Sequence, residues 1–225
     1  MFNSLRNYLG RLKQRNKLIC YWLVRLTGRP SRFTFRGQTY RCFWHRYNAT
    51  WRNERAIEIP IARSFLAGIP PDQVLEIGNV LSHYGPVSHE VVDKYEQAEG
   101  VRNQDVCDLK SNKKYTLILS ISTLEHVGWD EEPRDETKAP RAIENLQRLL
   151  APGGRLVVTI PVGYNPPLDR MIADGRISFS WHAYLKRSPR RNQWREVSGA
   201  EVRNSEYDRQ TNCAHVLFVG TVGNR

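Results

Sequence analysis

The spacing of apolar residues changes several times along this chain, and each change predicts a different element. Phe2, Leu5, Leu9, Leu12, Asn16, Ile19, Leu23 and Leu26 fall at alternating intervals of three and four. That rhythm lays a stripe along one face of a helix, with Arg6, Lys13, Arg15 and Lys17 off it. In RFTFRGQTYRCF, residues 32–43, apolar and basic positions alternate about Arg36-Gly37-Gln38, which predicts a half-exposed β-hairpin. NERAIEIPIARSFLAG reads as a helix from about residue 54 to 67, closed by Gly68 and the Ile69-Pro70-Pro71 break.

Short apolar runs rich in β-branched residues then take over: QVLEIG, HEVVDKY, YTLILSIS and GRLVVTIP. Each suits a strand buried on both faces. Between the last two lies TKAPRAIENLQRLLAPGG, with Ile143, Leu146, Leu149 and Leu150 on one helical face and Pro152-Gly153-Gly154 as its stop. CAHVLFVGTV predicts a final strand. Alternating strands and helices point to an α/β fold with a doubly wound, mostly parallel, seven-stranded sheet, in which ligands bind at the carboxyl ends of the strands. The expected organisation is an N-terminal arm of helix plus hairpin over residues 1–53 and one α/β domain over residues 54–225.

Charge sharpens that division. Twelve Lys and Arg precede the first acidic residue, Glu54, while the remaining 172 residues hold 22 basic and 23 acidic groups. The basicity belongs to the arm. A basic amphipathic helix can dock on its own domain, lie on an anionic membrane surface through residues 1–26, or pair with a partner or a second copy in a homodimer. LICYWLV, the longest apolar run in the arm, is too short to span a bilayer. The arginines and aromatic rings of residues 31–53 could meet a nucleic acid, but a hairpin with a solvated charged face accounts for them, and a nucleic-acid role is not expected. Cys20, Cys42, Cys107 and Cys213 lack metal-ligand or disulfide-framework spacing. Reduced thiols in a cytoplasmic protein and no metal site are therefore expected.

The stretch with candidate chemistry is VLEIGNVLSHYG, residues 74–85. Gly78 comes where the first strand's exit loop must bend sharply, yet Val80 and Ser82 follow instead of the further glycines of a dinucleotide fingerprint. An NAD or FAD enzyme is thereby disfavoured. What remains is an acid at Glu76, the glycine, and a second strand ending in Asp93, an acid well placed for the two hydroxyls of a ribose.

These residues resemble the class I S-adenosylmethionine-dependent methyltransferases over about residues 72–160. VLEIG looks like the family's first motif, VVDKYE like its second, and NQDVCDL like the segment whose aspartate meets adenine. SISTLEHVGWDE resembles the fourth-strand motif, and LLAPGGRLVVTIP the last helix, turn and fifth strand. The resemblance implies S-adenosylmethionine as cofactor. It puts Glu76, Gly78 and Asn79 in the loop under it, Asp93 on the ribose with Lys94 beside it, Asp105 and Val106 at the adenine, and Ser122 at the mouth of the fourth strand. The chain departs from the family at Val80 and Ser82, where the second and third glycines usually stand. A scaffold that keeps the fold and acts through its arm is the competing reading.

For a hydroxyl acceptor a proton must leave during transfer, and His126 is the candidate base, with Glu125 beside it as an orienting group. A histidine that only supports its loop is the plainer alternative. The acceptor, a small molecule or saccharide, is expected to meet His45, Trp51 and Arg55 ahead of the first strand, and Tyr164 and Trp181 after the fifth.

Overall fold

The computed structural model describes Trp22, residues 31–188 and residues 192–223. The helical stripe of residues 2–26, apart from Trp22, lies outside the described residues. The chain then forms the hairpin β1 (Arg32–Phe35) and β2 (Gln38–Arg41), joined through Arg36 and Gly37, both at positive φ. This is the two-residue turn whose twist matches paired strands. The alternation works as expected: Phe33 and Phe35 point into the core while Arg32 and Thr34 stay outside. The hairpin thus packs on the domain that follows.

Helix α1 (Arg55–Leu66) precedes β3 (Val74–Ile77), β4 (Glu90–Val92), β5 (Val101–Arg102) and β6 (Tyr115–Ile121). Helix α2 (Lys138–Arg148) leads into β7 (Leu150–Pro161), and α3 (Pro166–Ala173) into β8 (Trp181–Arg187), β9 (Trp194–Val197) and β10 (Val216–Gly223). One eight-stranded sheet runs β5-β4-β3-β6-β7-β10-β8-β9. The first five are parallel, and β10 is antiparallel to both neighbours. Taken in chain order the parallel strands read 3-2-1-4-5, the doubly wound order, which reverses between β3 and β6. The eighth strand, β9, extends the expected seven at the β8 edge.

Apolar runs buried on both faces need cover on both sides. On one face, α1 lays Ile57, Ile61 and Phe65 with hairpin residues Phe33 and Phe35 against Leu117, Leu119, Val157 and Val219. On the other, Ala139, Ala142, Ile143 and Leu146 of α2 and Leu168 of α3 meet Ile118, Leu156, Val158 and Phe218. Asn165 starts α3 by accepting the Leu168 N–H at 3.1 Å, with Pro166 at the first helical position. Pro152-Gly153-Gly154 does not delay β7. Pairing with β6 begins at Leu150, then shifts between Tyr115 and Leu117, so the glycine turn is an excursion inside the ladder.

Candidate functional site

A cavity of about 580 Å³ opens at the carboxyl ends of β3, β4 and β6, where the strand order reverses. That is where open α/β sheets bind ligands, and the volume lies within the range of small-molecule sites. Gly78, Asn79, Asp93, Lys94, Asp105, Val106, Ser122, His126 and Arg55 all line it.

The loop after β3 is held without the missing glycines. Gly78 takes φ +84, and a Cβ there would come within 2.2 Å of Thr123 Oγ1. Glu76 is fully buried beneath, its Oε1 accepting the Val80 and Leu81 N–H groups at 3.0 and 2.8 Å and its Oε2 meeting His89 Nε2 at 2.7 Å. A buried carboxylate thus fixes the loop as a short turn, Leu81–Tyr84. Glu76 supports the cavity from below and does not line it.

Asp93 is largely committed to backbone: Oδ2 accepts the Asn79 N–H at 3.2 Å, and Oδ1 those of Tyr95 and Glu96 at 2.8 and 2.7 Å. A carboxylate offers about four acceptor positions, so roughly one is left for a ribose hydroxyl. Asp105 is committed further. Its Oδ1 accepts the Cys107 N–H, and its Oδ2 lies 2.9 Å from Lys94 Nζ and 2.7 Å from Lys138 Nζ. Glu131 closes the square with both lysines. Although burial works the other way, the two lysines hold the Asp105 carboxyl well below the usual carboxylate range. Lys94, placed by resemblance beside the cofactor, is here the counter-ion of the residue assigned to adenine.

Ser122 directly follows β6 at φ +42, a strained position for a non-glycine residue. Its N–H donates to Thr159 and its hydroxyl to Glu58 Oε1 at 2.5 Å, which also accepts Thr159 Oγ1 at 2.6 Å. Arg55 Nη1 lies 2.5 Å from the other Glu58 oxygen. Burial opposes the Arg55 charge, but the Glu58 and Glu54 carboxylates outweigh it and raise the pKa.

His126 faces the cavity with Nδ1 2.6 Å from Asp130 Oδ2, and Tyr164 Oη donates to the same oxygen at 2.6 Å. Burial would raise the Asp130 pKa, yet hydrogen bonds from His126 and Tyr164 hold it low. An Nδ1–H donated to that carboxylate leaves the Nε2 lone pair free to accept a proton. Glu125 is not the orienting group. Its Oε1 is 3.7 Å from His126 Nε2, beyond hydrogen-bond reach, and Asp130 does that work.

Glu125 is instead buried, with Oε2 unpartnered. Burial, with Glu58 and Glu54 nearby, pushes its pKa well up. The folded state therefore favours the protonated form, and the stability this supplies is present below the unfolded carboxylate pKa of about 4.3 and lost as pH rises through the folded value. Glu125→Gln should gain at least about 1 kcal/mol at pH 8, or about 2–4 °C in Tm, with the advantage shrinking toward pH 4. Denaturant midpoints of both proteins at pH 4, 6 and 8 test this, and a pH-independent difference counts against it.

Of the expected acceptor residues, Arg55 lines the cavity, and Tyr164 stands at its edge against His126 and Tyr207. His45 lies behind, between Phe43 and Tyr84, and burial together with Arg46 and Arg63 lowers its pKa. Trp51 is a buried residue of the Tyr47–Arg52 turn and does not line the cavity. Trp181 is elsewhere: it opens β8 opposite Thr221, which pairs with Val157 on β7, four residues short of the carboxyl end at Pro161. There it packs edge-on to Phe35 under Arg36. Sequence reasoning missed Glu58, whose signal is an acid inside the otherwise apolar IEIPIA, and Tyr84, whose buried hydroxyl lacks a well-formed hydrogen bond.

No family description matches this chain, and no curated protein matches it. Solved structures do. The N-methyltransferase NodS from Bradyrhizobium japonicum WM9 superposes with a TM-score of 0.46 at 14% identity, covering 76% of this chain and 96% of that one. A possible histamine N-methyltransferase from Thermotoga maritima gives 0.41 at 16% identity, covering 73% and 88%. A TehB-like S-adenosylmethionine-dependent methyltransferase from Corynebacterium glutamicum gives 0.40 at 16%, covering 73% and 86%. With its 3-2-1-4-5 parallel order, its antiparallel β10 and a cavity at the reversal point, the chain has a doubly wound, Rossmann-like α/β fold.

Proposed function

We propose that this chain is a cytoplasmic S-adenosylmethionine-dependent methyltransferase acting on a hydroxyl of a small molecule or saccharide. The observation that carries this reading is the meeting of Gly78, Asp93 and the His126–Asp130 pair around one cavity at the switch point. The residues suit the cofactor. Gly78 and Asn79 bring backbone close, Asp93 keeps an acceptor position for a ribose hydroxyl, and Ile77, Val92 and Val106 offer apolar walls for a purine ring. When bound, the cofactor supplies a methyl group on a positively charged sulfur.

The protein's own part is positioning and proton removal. In-line displacement needs little more than alignment, which rigid strand ends provide. His126 Nε2 would take the proton of the acceptor hydroxyl during transfer, and Asp130, held in place by the Tyr164 hydroxyl, would stabilise the imidazolium formed. Arg55 and Asn48 reach the same cavity and offer donors for a polyhydroxylated ring.

Calorimetric titration with S-adenosylhomocysteine tests the assignment. Micromolar binding is expected, weakened more than about tenfold by Asp93→Ala through loss of the ribose contact and the loop it pins. His126→Gln should leave that affinity within about twofold and abolish turnover. No binding at millimolar ligand would return the fold to a scaffold role.

A further inference from the structure

Strand β8 alternates as a strand covered on both faces does. Trp181, Ala183 and Leu185 join the core under the hairpin, so His182 and Tyr184 stand on the opposite face, where α3 lies. There they flank Phe218 of β10, at 5.7 and 5.4 Å between ring centres. These rings, α3 and the turn Gly199–Val202 enclose a second cavity of about 810 Å³. It shares no lining residue with the cavity at the switch point. The partition between them is thin: Gly163 lines the second cavity, and its neighbour Tyr164 reaches His126 and Asp130 of the first. A Cβ on Gly163 would come within 2.6 Å of the Tyr207 backbone nitrogen, so residues 205–207 pack directly on it and close that end.

Polar groups of the first cavity are largely held by the protein, and those of the second are not. The side chains of Arg170, His182, Tyr184, Arg203, Asn204 and Glu206 make no hydrogen bond among the described residues. Asp169 makes one, its Oδ2 accepting the Gly163 N–H at 2.7 Å. An amide oxygen would hold that N–H equally well. The carboxylate adds a second oxygen, Oδ1, with no partner among the described residues, although burial pushes the pKa of the group up to about 6. Tyr184 is near enough that Asp169 adds to the rise that burial gives its pKa. A crevice that holds only water gives no reason for a carboxylate kept in such surroundings. The charges narrow the occupant. Asp169 and Glu206 face Arg170 and Arg203, two of each sign, so neither an ammonium nor a phosphate gains from the balance. A neutral polyol does, because its hydroxyls donate to the open carboxylate oxygen and accept from the guanidiniums while its C–H faces lie against the rings.

We propose that this second cavity binds a neutral sugar unit against His182 and Tyr184, with Asp169 accepting its hydroxyls, as a subsite beside the switch-point cavity. Its use in holding a longer glycan whose next unit reaches His126 rests on the methyl-transfer reading above. Occupancy by sugar does not.

Maltose, cellobiose and lactose, titrated into the full chain and followed by ligand-observed NMR, are the probes. At least one should bind with a millimolar Kd, and choline should not bind. Ala173→Trp in α3 and, independently, Ala200→Trp in the turn each put an indole into the wall from an exposed position. Each should weaken sugar binding more than about tenfold with an unchanged melting curve and unchanged S-adenosylhomocysteine affinity. Asp169→Asn keeps an acceptor for the Gly163 N–H and should weaken sugar binding about fivefold, since bonds to a charged acceptor are the stronger. The proposal is overturned if none of the three disaccharides binds at tens of millimolar, if binding survives intact in both Trp variants, or if choline binds more tightly than the sugars. Sugar binding without S-adenosylhomocysteine binding supports the subsite and overturns the methyl-transfer reading, so the two fail separately.

Discussion

Gly78→Ala is expected to lose about 2–3 kcal/mol of stability and to weaken S-adenosylhomocysteine binding more than tenfold. Two costs combine. An L-residue held in the left-handed region costs about 1–2 kcal/mol. The new Cβ also meets Thr123 Oγ1 at 2.2 Å and Cγ2 at 2.9 Å, so the β3 and β6 loops must part. Those loops form adjoining walls of the cavity, and a shift of a few tenths of an ångström there alters both. Gly78→Ala/Thr123→Ala separates the costs, because removing Oγ1 and Cγ2 relieves the clash and leaves the backbone strain. Gly100, at φ +77 with nothing within 4 Å of a built Cβ, is the control: Ala there should cost about 1 kcal/mol and leave affinity alone. Denaturant titration and calorimetry on the four proteins measure both effects. Equal affinity in wild type and Gly78→Ala would remove this loop from the binding site.

The parts of the fold that the sequence exposes are those whose signal is local. Four β-branched runs mark β3, β4, β6 and β7, and the 3.6-residue rhythm marks α1 and α2. Strand β5 has two residues and no room for a pattern. Strand β8 is preceded by the mixed GRISFS, and α3 starts on Pro166-Pro167 after its cap Asn165, so residues 163–187 read as an aromatic insertion and not as helix and strand. Trp181 shows why chemistry cannot be placed from order alone: its level in the sheet is set by pairing with β10, forty residues later. Asp105 shows the complement. The resemblance put it at the adenine end of the site, and it does line the cavity, but its partner Lys138 comes from another element, 33 residues on. Likewise LEHVGWD contains both His126 and Asp130, four apart, and their contact depends on the turn between them.

Arg55→Met should be the most destabilising single change outside the strands, by about 3–5 kcal/mol, because it leaves buried carboxylates without their cation. For a chain of this size that is about 6–20 °C in Tm. Glu58 is fully buried, accepts Ser122 Oγ and Thr159 Oγ1, and pairs with Arg55 at 2.5 Å. Glu54 accepts the Ala214 N–H at 3.0 Å, and burial with Glu58 nearby already raises its pKa. Without the guanidinium that pKa rises further, the folded variant binds more protons than the unfolded chain, and its deficit grows as pH rises from the unfolded carboxylate range toward neutrality. Arg55→Met/Glu58→Gln should recover most of the loss, since the amide oxygen still accepts the two hydroxyls and no longer carries charge. If the double variant is no more stable than the single one, packing of the Arg55 stem and not its charge sets the cost. The same pair of variants reports on the site. Glu58 ties α1 to Ser122, whose strained backbone begins the loop that carries His126. A Gln that restores stability and also restores cofactor affinity would show that this buried link holds the end of β6 in its binding geometry.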